Sequence, residues 1–392
     1  MPLCRLPEKQ MVNLTVGFAS AFLMTWLIVK YAGSCAGFSL DFDLRAVQRN
    51  HYTAVPRVGG LAIFCATAVT FATSTVFHTS PTYEAFLLLS CATPAFLGGL
   101  AEDLTKRVTP RVRLLSALVA ALACCFALHA VIDRVDLPAI DFLLRFLPIG
   151  IAFTVVAVAG VTNAMNIVDG LNGLASVVGI LIFASIGYVA VTVNDWLVAS
   201  VAFAMIGTIG GFVVWNYPSA LVFMGDGGAY FIGFMMAELV VLLIARHPNV
   251  SAFYAIVAMY PAFETIFSIY RRRYVRGRAV DAPDALHLHT LIYKRIARKG
   301  ISFNDRQQCT RRNSVTSVYL WVLSLIAIVP ATFFWHSPHV LGIAALVFAS
   351  VYLWIYASVV RFRTPVWMML PVAMLRHGSR AERRPAAPDR LR

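Results

Sequence analysis

Five polar stretches interrupt an otherwise apolar chain, and each carries side chains that handle charge. The first ends His51-Tyr52-Thr53-Ala54-Val55-Pro56-Arg57-Val58-Gly59-Gly60. Its paired glycines allow close backbone approach, and Arg57 is either a planar fork for phosphate or a plain topology anchor. The second holds Glu102-Asp103, then Lys106, Arg107, Arg111 and Arg113. Adjacent carboxylates repel unless a cation or proton is shared between them, and their oxygens suit Mg²⁺, which is normally shared with substrate phosphates. An ordinary charged interface is the competing account. The third, from Asn163 through Asn166, Asp169 and Gly170 to Asn172 and Gly173, contains no Lys or Arg, so Asp169 has no local ion-pair partner. That density of hydrogen-bonding groups exceeds what a turn between helices needs. The fourth is Phe223-Met224-Gly225-Asp226-Gly227-Gly228. Asp226 there reads as an exposed metal ligand beside backbone N–H groups open to an anion, or as a helix cap. The fifth, 271–314, begins Arg271-Arg272-Arg273 and contains Asp284, His287, His289, Lys294 and Arg295. Two histidines two apart share one face of an extended segment, where they can meet phosphate, metal or a leaving group, or simply stand on a basic surface.

Acids without adjacent bases, glycines and an Arg/His-rich flap are suited to holding a pyrophosphate around a divalent metal. No nucleophilic serine elbow and no P-loop signature is present.

The elements that must position these residues are membrane helices. Of 392 residues, 59% are hydrophobic and 13% charged, where a soluble domain carries about a quarter charged. Mean hydropathy is +0.73. Runs of about 17 residues or more cross a ~30 Å hydrocarbon core as helices, the form that leaves no backbone group unpaired in lipid. Spans are expected at 12–29, 58–77, 85–101, 114–132, 146–162, 174–193, 196–215, 228–245, 250–269, 315–335 and 340–360. The architecture is thus all-α, a polytopic bundle of about eleven spans forming a single catalytic domain over 1–360, with a basic tail at 361–392.

An outside (periplasmic) N-terminus and an inside (cytoplasmic) C-terminus put 28 of the 33 Lys and Arg on the inner side, leaving Arg5, Lys9, Arg134, Arg145 and Arg246 outside. This is the positive-inside bias. In that orientation the longer polar loops, 36–57, 102–113 and 271–314, and the smaller polar turns at 163–173 and 216–227 all face the cytoplasm. One composite site between helices is expected there. The net charge of +14 follows from topology and anionic headgroups, with no call for nucleic acid. The seven cysteines include no C-x-x-C pair and read as packing residues. Of the intramembrane acids, which are costly and usually face a bundle interior, Glu264 is placed to support the fifth loop; Glu238 has no evident task.

With these residues in view, the chain resembles the polyprenyl-phosphate N-acetylhexosamine-1-phosphate transferases, over roughly residues 10–360. Glu102-Asp103 stands where that family has paired aspartates, and Asn166 with Asp169 matches its N-x-x-D-G segment. Met224-Gly225-Asp226 matches its M-G-D turn, Asp284, His287 and His289 its D-x-x-H-x-H flap, and His51, Pro56 and Arg57 its first loop. The resemblance implies transfer of a sugar 1-phosphate from a UDP-sugar to undecaprenyl phosphate, with release of UMP, in the inner membrane of a bacterium. It implies Mg²⁺, or Mn²⁺, at Asp226 and Asp103, and catalytic roles for Glu102, Asp103 and Asp169. Substrate binding falls to His51, Arg57, Asn166, Asn172, Asp284, His287 and His289. Membrane lipids are partners, and a homodimer is compatible with the pattern. Glu102, Asn172, Ala229 and Thr290 depart from the family pattern; the Asn172 and Thr290 changes bear on nucleotide-sugar binding and separate the chain from the muramoyl-pentapeptide branch, towards the O-antigen and glycan-initiating one. A transporter, with acids near the midplane and repeated halves, and an inactive scaffold are the rival readings.

Overall fold

The computed structural model describes residues 8–31, 55–76, 82–275, 277, 286–295 and 306–362, and these are helices joined by short turns. The first four are α1 (Glu8–Tyr31), α2 (Gly59–Val76), α3 (Thr82–Thr105) and α4 (Pro110–Ala127). A short α5 (Pro138–Leu144) precedes α6 (Leu147–Val168), α7 (Leu174–Thr192), α8 (Trp196–Asn216) and α9 (Gly225–Arg246). The ninth span is composite: a 3₁₀ turn, Ala252–Ala258, leads into α10 (Met259–Tyr270), which relaxes into a π-turn at Arg271–Val275. The short α11 (Leu288–Arg295) precedes α12 (Arg306–Phe333) and α13 (Pro338–Val360).

Eleven of these segments are long and apolar enough to cross a membrane, and each overlaps an expected span. The differences lie at the ends. α3 runs on to Thr105 and α6 to Val168, so Glu102, Asp103, Asn163 and Asn166 occupy the last turns of helices and not loops. Asp226 likewise sits in the first turn of α9. Polar residues near a helix end find partners among the unpaired terminal groups of neighbouring helices, so the helix continues where hydropathy falls.

Lipid is as apolar as leucine, so helices associate through small residues and hydrogen bonds. In α1 the buried stripe is Gln10, Asn13, Gly17, Ala21 and Thr25, while Leu23 and Leu27 face outward. Gln10 donates to Ser200 at 3.1 Å, and Ser74 to Asn13 at 2.6 Å, joining α1 to α8 and α2. The centre of the bundle is α9, 94% of whose span is buried against 22% for α1. It packs on α2, α3, α6 and α7. Its N-terminal glycines let α2 and α3 approach closely: a Cβ on Gly60 would collide with the backbone of Gly228. The helix that begins at Asp226 is thus the axis around which the others gather.

Candidate active site

The site forms where α3 and α6 end and α2, α4 and α9 begin. A backbone zipper sets the frame: Phe223 N–H donates to Pro56 carbonyl (2.9 Å), Gly59 N–H to Phe223 carbonyl (3.0 Å) and Gly60 N–H to Met224 carbonyl (2.8 Å). It fixes Arg57 against the fourth loop. Gly225 then turns the chain at φ +75°, where a Cβ would strike the Arg57 carbonyl and Asp103 Oδ2; glycine alone tolerates both demands.

Asp103, buried in the last turn of α3, accepts from Asp226 N–H (2.9 Å) on one oxygen and Gly227 N–H (2.8 Å) on the other. It caps α9 from another helix, satisfying terminal amides and opposing the positive end of the dipole. Glu102 points elsewhere, accepting from Val108 N–H at 2.9 Å and closing the turn into α4. The adjacent acids therefore avoid repulsion by serving different backbones.

That cap directs Asp226 into the cleft. One of its oxygens lies 3.6 Å from Arg57 Nη2, and the other is ion-paired with Arg113 Nη1. Arg113 lies over the Tyr230 ring, 5.9 Å from its centroid, and the Tyr230 hydroxyl donates to Asn163 Oδ1 at 2.9 Å. Asp169 ends α6 on the other side of the cleft. Its environment pushes its carboxyl up to about 7, chiefly through desolvation, with Arg57 opposing. Asp103 is in electrostatic reach of Arg57, Lys106 and Asp169, so Arg57, Asp103, Asp169 and Asp226 form one constellation.

The fifth loop reaches this constellation through His289, whose ring lies against Gly170: a Cβ there would meet Nε2 at 2.7 Å. His287 stacks on His289, with centroids 5.4 Å apart and planes at 3°. His287 Nδ1 lies 3.0 Å from Glu264 Oε1, so the buried Glu264 does support the fifth loop. Asn166 stands in the last turn of α6, its carbonyl accepting from Asp169 N–H at 3.3 Å.

Asn172 is placed differently. It is 2% exposed, with its N–H donated to Asn313 Oδ1 (2.7 Å) and its carbonyl accepting from Ser317 (2.7 Å). It ties the third loop to α12, and the departure from aspartate falls at a packed junction. His51 and Asp284 lie outside the described residues.

Sequence reasoning left two participants unselected, Arg113 and Tyr230. Arg113 was visible only as one of four bases after Asp103, and Tyr230 as an aromatic in a membrane span. The i, i+4 relation of Asp226 and Tyr230 on α9 was the available signal, because it puts both on one face.

Among the described residues no cluster of three His, Cys, Asp or Glu forms a metal cage. A single partly buried carboxylate beside arginines at a helix N-terminus suits an ion that keeps several waters and shares a diphosphate; it does not suit zinc, which takes three or four protein ligands. The donor set fits Mg²⁺ held chiefly by Asp226, because both Asp103 oxygens already accept backbone amides.

Fold and site together define a polytopic membrane protein with one composite acid–arginine–histidine cleft at one end of its bundle. The glycosyl transferase family 4 model matches residues 85–244, a stretch that includes Asp103, Arg113, Asp169 and Asp226. An undecaprenyl-phosphate alpha-N-acetylglucosaminyl 1-phosphate transferase of Thermotoga maritima is 32% identical over 252 residues, covering 64% of this chain and 72% of that protein. A probable undecaprenyl-phosphate N-acetylglucosaminyl 1-phosphate transferase of Bacillus subtilis is 26% identical, covering 82% and 86%. A phospho-N-acetylmuramoyl-pentapeptide-transferase of Clostridium perfringens is 27% identical, covering 60% and 74%. The chain belongs to glycosyl transferase family 4.

Proposed function

We propose that this protein transfers an N-acetylhexosamine 1-phosphate from a UDP-sugar to undecaprenyl phosphate, releasing UMP and starting a lipid-linked glycan. The site faces the cytoplasm of a bacterial inner membrane, in keeping with the distribution of Lys and Arg. The observation that carries the reading is Asp226, presented by the capped start of α9 between Arg57 and Arg113. Family membership and the names of the two N-acetylglucosaminyl 1-phosphate transferases support it.

In this reaction an oxygen of the lipid phosphate attacks the β-phosphorus of the donor. The bond from that phosphorus to the bridging oxygen breaks, and UMP leaves with the electron pair. Asp226 would hold Mg²⁺ or Mn²⁺, which would supply neutralisation of the phosphate charge. Arg57 and Arg113 bind the remaining negative charge, and a planar guanidinium matches two phosphate oxygens at once. His289, laid on Gly170, adds a donor beside Asp169. A phosphate monoester has its second pKa near ~6, so the acceptor is largely ionised already and needs orientation more than deprotonation. Asp103 supplies that orientation through α9, with both its oxygens occupied by amides. Asp169 and Asn166 line the nucleotide side.

The test is UMP release by the purified protein in detergent, with Mg²⁺, undecaprenyl phosphate and a panel of UDP-N-acetylhexosamines. Lipid- and metal-dependent release that disappears in Asp226→Asn is expected, and the panel names the sugar. A folded preparation that releases no UMP from any donor overturns the proposal.

A further inference from the structure

Glu264 lies in α10, wholly enclosed, yet it accepts three hydrogen bonds from three directions. Leu288 N–H reaches Oε1 at 3.0 Å, His287 Nδ1 reaches the same oxygen at 3.0 Å, and the Tyr352 hydroxyl donates to Oε2 at 2.7 Å. An amide and a phenol are donors here, so Glu264 acts as the acceptor, and His287 completes the set by donating its Nδ1–H. Which ring nitrogen carries the proton is thereby fixed by the partner of Nδ1, and Nε2 becomes the chemically active edge.

Glu264 also governs where the flap stands. α11 starts at Leu288, so the carboxylate caps that helix at its positive end. At the other end Arg312 donates to the Tyr293 carbonyl, through Nε at 3.0 Å and through Nη2, and stacks on the Tyr293 ring at 4.2 Å. Arg271 donates to the Leu286 carbonyl at 2.7 Å and to the Tyr356 hydroxyl at 2.7 Å. The segment from Leu286 to Tyr293 is thus gripped by α10, α12 and α13. Glu264, among these grips, also touches a histidine ring. The titratable or charged groups that face it are Tyr260, His287, His289 and Tyr352, with Arg271 facing Tyr352 from beyond.

We propose that Glu264 is the positioning residue of the histidine flap: it holds His287 by Nδ1 and, through the His287–His289 stack, sets His289 on Gly170 beside Asp169 to meet the donor's diphosphate. The proposal rests on the transfer reading above for its ligand, and on the hydrogen bonds alone for its geometry. It gives a buried membrane acid a task, as intramembrane carboxylates generally have. Groups that orient a reacting imidazole from behind matter to activity without touching substrate.

The experiment has two arms. In the first, Glu264→Gln, Tyr352→Phe, His287→Ala and the Glu264→Gln/His287→Ala double variant are compared with wild type for UMP release and thermal midpoint. Glu264→Gln keeps shape and loses charge; its kcat is expected to fall about 10- to 100-fold, as for other supporting residues, with donor KM nearly unchanged and the midpoint within a few degrees. Tyr352→Phe removes one of three hydrogen bonds and costs about three- to tenfold. The double variant is expected to be no worse than the worse single one, because residues acting as a unit are non-additive. Losses that multiply, or a Glu264→Gln enzyme within twofold of wild type, overturn the proposal.

The second arm needs no turnover. Ring ¹⁵N signals of histidine-labelled protein, assigned by loss in His287→Ala, are expected to show Nδ1 protonated in His287. A bare Nδ1 overturns the proposal whatever the activity. Absence of UMP release with a protonated Nδ1 would instead sink only the transfer reading.

Discussion

The two ends of the bundle handle carboxylates in opposite ways. At the end away from the site, Asp136 and Asp195 are closed into local structure. Asp136 pairs with Arg134 at 2.9 Å and accepts from Ser251 Oγ at 2.6 Å and Ala252 N–H at 2.7 Å. Arg134 in turn donates to the carbonyls of Ile244, His247 and Val250, closing the C-terminal end of α9. Asp195 caps α8 and meets His247 at 3.0 Å. At the site end Glu102 and Asp103 are closed in this way. Asp226 is met by arginine forks from two other elements, and Asp169 accepts no hydrogen bond from the described residues. One helix, α9, is therefore anchored by backbone carbonyls at its C-terminus, whereas at its N-terminus its acid is met by arginine side chains. The lesson is that acids paired with arginine forks, and not with backbone amides, mark the working end more sharply than charge itself.

This contrast is open to mutation, and the largest effect belongs to Asp226. Asp226→Asn keeps the helix start but removes the charge that Arg57 and Arg113 meet and that the proposed metal would. UMP release is expected to fall about 10³-fold or more, equivalent to about 4 kcal/mol of barrier, while the thermal midpoint hardly moves. Retained activity would remove the central residue of the site. Asp103→Asn comes next and blurs the two roles. Its amide keeps one acceptor and turns a donor towards a backbone N–H, so a stability loss of about 1–3 kcal/mol should accompany a fall of about 10²-fold in kcat, comparable to loss of a supporting residue. Activity lost with no change in unfolding would mean that Asp103 contacts substrate directly.

At the far end the expectation reverses. Arg134→Ala strands Asp136 and three carbonyls, and should cost about 3 kcal/mol of stability or more, with kcat per folded molecule within about twofold, as for sites far from the chemistry. A selective loss of turnover would show that the two ends are coupled through α9.

How much of this was legible in the residues themselves differs by level. The spans were, because hydropathy over about 20 residues is the condition for crossing lipid. Their ends were not: Glu102, Asp103, Asn163 and Asn166 depress hydropathy but continue their helices, Asp103 capping α9, Glu102 the turn into α4 and Asn163 meeting the Tyr230 hydroxyl. Asp169 and Asp226 stood out as acids without local bases. Arg113 did not, because a base following an acid in a basic loop looks like charge balance until α4 is packed beside α9. Asn172 carries a packing role that the residue types did not show. An amide among functional residues looked like a binding group, and only the position of Asn313 and Ser317 on α12 reveals a packed junction. Glu102 looked like half of a shared carboxylate site, and its Val108 partner lies across a turn whose conformation the residue types do not specify.

The smallest predicted effect sharpens the comparison most, because it reads the unsatisfied charge directly. Asp169 has its carboxyl raised to about 7 by desolvation, so in the free enzyme it holds a proton below that pH and releases it above. If the ionised form is the one that organises the nucleotide and metal side, kcat/KM, which reports free-enzyme ionisations, rises with pH. Between pH 6 and 8 the ionised fraction of such a group grows about tenfold, and the limb should grow with it. Asp169→Asn cannot titrate, so the same range should be flat at a lower level. Arg57 opposes the shift, so Arg57→Gln should move the limb to higher pH, not lower. A limb that persists in Asp169→Asn would assign the titration to another group, and the unsatisfied acid at the end of α6 would then be structural after all.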